Sequence, residues 1–273
     1  MALTLLDGPM GTELVRRGLD VDHAGPAWSA VALERAPGLV QAIHAEYVAA
    51  GADVHRANTF RTQPGVYPDR FRELTGQAVT LARAAGAVRV AGSLAPAADC
   101  YRPDLAPEGD EARPLHRAMA EALRDAGVDL VVCETFPSGR EALVAVEEAC
   151  RTSLPVWVAF TAGPEATLLT PEAMEAHARA AASAGAEAVL VNCTDARATL
   201  PYVARLARVG VPFGAYANAG PASAGLGWCA DERRAAEAYA ELAASWREAG
   251  ATILGACCGC GPAHVAALAA RFR

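Results

Sequence analysis

The sequence predicts a single α/β domain, residues 1–273, folded as a closed (β/α)8 barrel. Three observations predict it. Eight short β-rich runs alternate with longer helical runs along the whole chain. Most of the short runs are continuously apolar, as strands are when helices cover a parallel sheet. The chain of 273 residues is close to the ~250 residues of one such barrel, and no linker, low-complexity stretch or break in composition divides it. A doubly wound open sheet is the alternative arrangement of the same units.

In chain order the strands are expected at Leu3–Asp7, Ala52–Phe60, Val88–Leu94, Asp129–Thr135, Val156–Thr161, Ala188–Cys193, Pro212–Ala217 and Thr252–Cys257. Between them, apolar residues recur at helical spacing: Leu39, Ile43 and Tyr47; Leu115, Met119 and Leu123; Tyr239, Leu242 and Trp246; Val265, Leu268 and Phe272. These stripes are core-facing and imply no cofactor. Ser138 with Glu141 spells a capping box, and Thr170-Pro171-Glu172 spells a cap, a first-turn proline and an acid near the positive helix end. The longest loops, Ala95–Asp110 and Asn218–Ala230, follow the third and seventh strands, where they can act as lids.

Composition excludes several classes of function. The net charge is -7, with 24 basic against 31 acidic residues and no basic run, which disfavours nucleic acid and anionic membrane as partners. No apolar run reaches the roughly 18 residues of a membrane span, and the opening MALTLLDG lacks the basic region of a signal peptide. A cytoplasmic protein acting on small molecules is expected. All the basic residues are arginine, so Schiff-base chemistry on a barrel lysine is excluded.

The chain carries eight cysteines: Cys100, Cys133, Cys150, Cys193, Cys229, Cys257, Cys258 and Cys260. In a cytoplasmic protein, clustered cysteines point to a metal or to catalysis. Cys100, Cys133, Cys150 and Cys229 are read as small buried apolar residues. The others fall at strand ends, on the rim where barrel active sites form. A catalytic zinc takes three protein ligands and keeps one position open, and Cys193, Cys257 and Cys258 can supply the three. Adjacent residues of a regular strand point to opposite faces, so Cys257 and Cys258 can share a metal only if the strand ends or bends there. Cys260 competes, because a C-x-C pair can also converge. Asp7 and Glu134 also stand at strand ends, where a bound ammonium, or a structural ion pair with arginine, would offset the cost of burying a carboxylate.

Taken together these motifs resemble the homocysteine S-methyltransferase family. LLDGPMGTEL looks like its first-strand signature. Pro26–Ala30, ANTF at Ala57–Phe60, CETF at Cys133–Phe136, Asn192-Cys193 and GACCG at Gly255–Gly259 match later ones, in order and over essentially the whole chain. The sequence departs from the family pattern at Ala217, at Ala256 and at Cys260. The resemblance implies zinc on Cys193, Cys257 and Cys258. It also implies that Asp7 and Glu134 hold the amino group of homocysteine, that Gly8 and the Thr59-Phe60 turn line the amino-acid pocket, and that Asn218 lies near the metal. A thiol with a pKa near ~8.5 is mostly protonated at neutral pH, whereas a metal-bound thiol is not. The expected reaction is therefore methyl transfer from a sulfonium, S-methylmethionine or S-adenosylmethionine, to the zinc-bound sulfur. Betaine or another donor, and a selenol or other thiol acceptor, are variants of it. No catalytic histidine is needed, and His55 is read as a pocket or packing residue. A metal-independent lyase or aldolase using Asp7 and Glu134 as acid and base is the alternative enzyme. A non-catalytic zinc- or thiol-binding protein is the third reading.

Overall fold

The structure, a computed structural model, describes residues 2–22, 25–108, 110–220, 222–227 and 231–273. Cys229 lies outside the described residues. Strands β1 (Thr4–Leu5), β2 (Val54–Arg56), β3 (Arg89–Leu94), β4 (Leu130–Phe136), β5 (Val156–Phe160), β6 (Ala188–Asp195), β7 (Phe213–Asn218) and β8 (Ile253–Ala256) form one parallel sheet. Hydrogen-bonded neighbours run from β2 through β8 to β1, and a parallel bridge between Leu6 and Val54 joins the two ends. The expected (β/α)8 barrel is the observed fold.

Helices occupy the connections. They are α1 (Gly11–Arg16), α2 (Val31–Arg35), α3 (Pro37–Ala49), α4 (Phe71–Ala84), α5 (Arg113–Asp125), α6 (Gly139–Cys150), α7 (Pro171–Ser183), α8 (Leu200–Leu206), α9 (Glu232–Glu248) and α10 (Pro262–Phe272).

The continuous apolar strands feed two separate packing layers. Leu6, Val54, Leu130, Val132, Leu190 and Ile253 fill the barrel interior, while Leu5, Val131, Val189 and Leu254 pack outward against the helices. Alternation along the strand sorts the side chains between the two layers. All eight strands lie where the sequence puts them, although β1 and β2 are shorter. The segment after Arg56 leaves the strand as a tight turn, with the Thr59 N–H bonded to the Ala57 carbonyl at 2.7 Å.

Two local expectations need correction. On α5 the buried face is His116, Met119, Ala120 and Leu123, and Leu115 is only half-buried. Half of the α6 capping box forms. Ser138 Oγ accepts the Glu141 N–H at 3.4 Å, but the Glu141 carboxylate turns instead to the Ala97 N–H and to His116. The Thr170 cap on α7 forms as expected, accepting the Ala173 N–H at 3.1 Å.

Candidate active site

Strands β4 and β6 each break register near their carboxyl ends, between Cys133 and Phe136 and between Asn192 and Asp195. Within these breaks Thr135 has φ +66° and Cys193 φ +47°. Residues with side chains rarely adopt such angles, and when they do the surroundings must hold them there. Here the holding groups are visible. Asn192 Oδ1 accepts the Thr135 N–H at 3.1 Å, and Asn192 Nδ2 donates to Thr135 Oγ1 at 2.7 Å. The Cys193 carbonyl accepts from Thr161 Oγ1 at 3.2 Å and from Asn218 Nδ2 at 3.0 Å. Glu134 and Cys193 sit at these breaks, and both line a cavity of about 720 Å³ at the carboxyl rim.

The same cavity reaches Cys257 and Cys258. Regular β8 pairing stops at Ala256, so the two adjacent cysteines escape the alternation that would otherwise set them on opposite faces. The turn that follows is fixed by Cys260 N–H to the Cys257 carbonyl at 3.1 Å and by Ala219 N–H to the Cys258 carbonyl at 3.0 Å. Gly259 completes it at φ +81°, a conformation glycine adopts freely. The sulfurs of Cys193, Cys257 and Cys258 come within 4.8 Å of one another. Cys260 points elsewhere: it is fully buried in the layer between barrel and helices. Hydrogen bonds from the Cys193 and Cys258 thiols pull the Cys257 thiol well below its ordinary range, with the Arg56 charge adding to the effect against burial. Three soft donors this close, none of them in a disulfide, and open to a cavity on one side fit a zinc ion with a free fourth position.

Of the two partners open to the carboxylates, a bound ammonium or an arginine, the structure holds the arginine: Arg56 stands between them. Its Nε donates to Asp7 Oδ1 at 2.8 Å and its Nη1 to Glu134 Oε2 at 3.1 Å. Its backbone N–H takes Asp7 Oδ2 at 2.9 Å, and Nη2 reaches the carbonyls of Asp7, Gly8 and Ala256. The guanidinium also stacks 4.5 Å from the Tyr216 ring. Asp7 is 1% exposed and is not among the residues lining the cavity; the ion pair with arginine describes it. Glu134 does line the cavity. Its Oε2 also accepts from Tyr216 Oη at 2.9 Å, and Ser93 Oγ bonds Oε1. Two carboxylates and one guanidinium leave this cluster at net −1, suited to one further cation. Arg56 was not singled out in the sequence. A signal existed: a charged residue closing the run Val54-His55-Arg56 at a strand end needs a buried partner as much as Glu134 does.

Of the remaining expected residues, Gly8, Phe60 and Asn218 line the cavity. Thr59 does not; it is fully buried and clamps β3, its Oγ1 donating to the Ser93 carbonyl at 2.9 Å and accepting the Ser93 N–H at 2.9 Å. Gly8 is packed so tightly that an added Cβ would lie 2.5 Å from Tyr47 Oη. Trp28, within the Pro26–Ala30 motif, and Tyr101, which no motif marks, add aromatic walls. Asn218 Oδ1 is buried without a hydrogen-bond partner. Cys133 is core, Cys150 is half-buried, and Cys100, held protonated up to about pH 12 by burial, lines the cavity. His55 is buried with its ring 6.4 Å from that of His44 and does not reach the cavity.

A parallel barrel that collects strained backbone, thiols and opposed charges on its carboxyl rim has the layout of a barrel enzyme. Which kind follows from comparison. The family model described as homocysteine S-methyltransferase matches residues 4–272, and the chain belongs to that family. The Escherichia coli homocysteine S-methyltransferase is 31% identical over 98% of this chain and 95% of its own length. Homocysteine S-methyltransferase 4 of Zea mays is 29% identical over 98% and 89%. Among solved structures, the Escherichia coli homocysteine methyltransferase MmuM superposes with a TM-score of 0.82 in its oxidized form, at 29% identity over 98% of this chain and 96% of that one. Its metallated form gives 0.81 at 28% identity over 99% and 96%. No helix among the described residues is long and apolar enough to cross a membrane.

Proposed function

We propose that this enzyme transfers a methyl group from a sulfonium donor, S-methylmethionine or S-adenosylmethionine, to the thiol of homocysteine, giving methionine, with zinc on Cys193, Cys257 and Cys258. The observation that carries this is the convergence of three sulfurs within 4.8 Å at a cavity wall shared with Glu134. Zinc, when bound there, supplies the acidity that makes an entering thiol a thiolate at neutral pH. The protein's own groups do the rest. Glu134, held by Arg56, Tyr216 and Ser93, takes the acceptor's ammonium. Asp7 contributes through Arg56, which it orients. Gly8 and Phe60 bound the amino-acid pocket, and Thr59 secures the Ser93 backbone behind it. The acceptor sulfur then donates an electron pair to the methyl carbon as the donor's carbon–sulfur bond breaks, and that pair stays on the donor sulfur. Both charges vanish and no proton moves at carbon, in keeping with a rim that offers no histidine to the cavity among the described residues.

The free thiols suit a reducing cytoplasm. Asp7 and Glu134, both tied to one guanidinium, are poorly placed to serve as the acid and base of a lyase.

The test is zinc content on anaerobically purified protein, wild type beside Cys258→Ala, with transfer from S-methylmethionine to homocysteine assayed on the same samples. About one zinc per chain, lost together with activity in the variant, is expected. A folded, reduced, zinc-supplemented wild type that holds no metal overturns the proposal.

A further inference from the structure

Every oxygen of the two rim carboxylates has a partner from the chain itself. Asp7 Oδ1 accepts from Arg56 Nε, and Oδ2 accepts the Arg56 backbone N–H. Glu134 Oε2 accepts from Arg56 Nη1 and from Tyr216 Oη, and Oε1 accepts from Ser93 Oγ. The guanidinium that joins the two acids is anchored on its far side as well. Its Nη2 bonds the carbonyls of Asp7, Gly8 and Ala256 at 3.1, 3.2 and 3.1 Å, and it lies 4.5 Å from the Tyr216 ring centroid. Drawing it out would strand two buried carboxylates and three carbonyls. Arg56 faces the same cavity as Glu134. The chain therefore carries, fixed beside the cavity, a cation that pairs these acids before any substrate arrives.

Selectivity for a polar head group has a physical source. A site rejects an analogue lacking that group when its own buried partner is then left bare, and the rejection reaches about 10,000-fold or more. Where the partner is already satisfied, only the added contact is lost. For a hydrogen bond to a charged group that loss is about 10- to 100-fold. The cluster's net −1 keeps a preference for an ammonium without depending on one. We infer that Arg56 relaxes the choice of acceptor head group, and that the enzyme also methylates thiol acids whose α-substituent is neutral. The matched case is 2-hydroxy-4-mercaptobutyrate, in which a hydroxyl replaces the ammonium of homocysteine and keeps one donor for Glu134. The bond changes are those of the proposed transfer, on which the inference rests. The thiol proton passes to solvent, a bond forms between the acceptor sulfur and the methyl carbon, and the donor's carbon–sulfur bond breaks with its electron pair. With S-methylmethionine the products are 2-hydroxy-4-(methylthio)butyrate and methionine.

The experiment measures kcat/KM for homocysteine and for 2-hydroxy-4-mercaptobutyrate on zinc-supplemented wild type at saturating S-methylmethionine, and the Kd of each thiol by calorimetry. The expected result is turnover of the hydroxy acid with kcat/KM lower than that of homocysteine by no more than about 100-fold. A larger loss, or no turnover, overturns the inference. Arg56→Gln tests whether the guanidinium is the cause. Without it the two acids depend on the substrate's ammonium, so the ratio of the two kcat/KM values should widen by about tenfold or more. That ratio is independent of the folded fraction, because both thiols meet the same population. An unchanged ratio in the folded variant overturns the role of Arg56. Where the variant does not fold, the wild-type comparison decides alone. If the wild type methylates neither thiol, the proposed function fails, and the ratio of the two Kd values, held to the same limit, still decides on the head group.

Discussion

Asn192 grips Thr135 from both ends of its amide, accepting the Thr135 N–H at 3.1 Å and donating to Thr135 Oγ1 at 2.7 Å. The two residues belong to the broken ends of β6 and β4, each next to or part of a left-handed backbone position. One side chain thus fixes the neighbours of both Cys193 and Glu134. Replacing it by alanine removes two buried hydrogen bonds and leaves Thr135 unsatisfied. Asn192→Ala is expected to lose about 2–4 kcal/mol of unfolding free energy and to bind zinc more weakly. Urea titration and metal competition measure the two effects; unchanged metal affinity would mean the clamp serves the fold alone.

Glu134 is the one carboxylate of the pair that faces the cavity. A hydrogen bond to a charged group contributes about 1.5–3 kcal/mol. Glu134→Gln is therefore expected to raise the homocysteine KM about 10- to 100-fold, with little change in donor KM. Steady-state kinetics with each substrate varied separately decides this, and equal effects on both substrates would remove Glu134 from the acceptor pocket.

Asp7 does not line the cavity and is bonded to Arg56, which does. Deleting one partner of a buried ion pair typically costs about 3–5 kcal/mol because the other charge is left uncompensated. Arg56→Gln should destabilise the protein on that scale, and Arg56→Gln with Asp7→Asn should recover part of the loss. Independent, additive effects in that double-mutant cycle would contradict the coupling seen in the structure.

Cys260 provides a control for the proposed metal site. It is buried in a different layer from the three converging sulfurs, so Cys260→Ser should retain about one zinc per chain while Cys193→Ser, Cys257→Ser and Cys258→Ser do not. Zinc lost from Cys260→Ser at full folding would place Cys260 among the ligands.

His44 sets a pH limit on stability. Burial holds its imidazole neutral down to about pH 4, against an ordinary value of 6.5. Between these values the unfolded chain binds a proton that the folded chain refuses, so folding stability falls as pH drops through this window and levels off below it. The loss is about 3 kcal/mol. His44→Phe should flatten this part of the profile in denaturant titrations from pH 7 to 4; a parallel profile would assign the acid sensitivity to other groups.

The barrel was legible because its signals are redundant. Eight apolar runs buried on two faces leave little freedom of assignment, and Leu5 outward beside Leu6 inward is what such a run produces. The thiols were legible as a group once the strand ends were known. Their convergence was not, because it depends on β8 stopping at Ala256 and on a turn through Gly259. Positive φ at Thr135 and Cys193 leaves no mark in composition, since neither residue type favours it. An arginine partner for Asp7 is legible, but not that it is Arg56, because the two are 49 positions apart and only the barrel's closure brings them together. On α5, hydrophobicity favours Leu115, yet the core position belongs to His116, whose ring bonds Glu141.

That closure has a mechanical side. β1 is only two residues long and meets β2 through a single bridge, so this seam has few backbone bonds. Arg56 Nη2 spans it, bonding carbonyls of Asp7, Gly8 and Ala256, while Nη1 holds Glu134. The guanidinium is at once a rivet in the wall and part of the cavity lining. Occupancy of that cavity and breathing of the seam are therefore linked, and a bound amino acid should slow amide-proton exchange at Leu6 and Asp7, whose N–H groups bond across the seam and its neighbour strand.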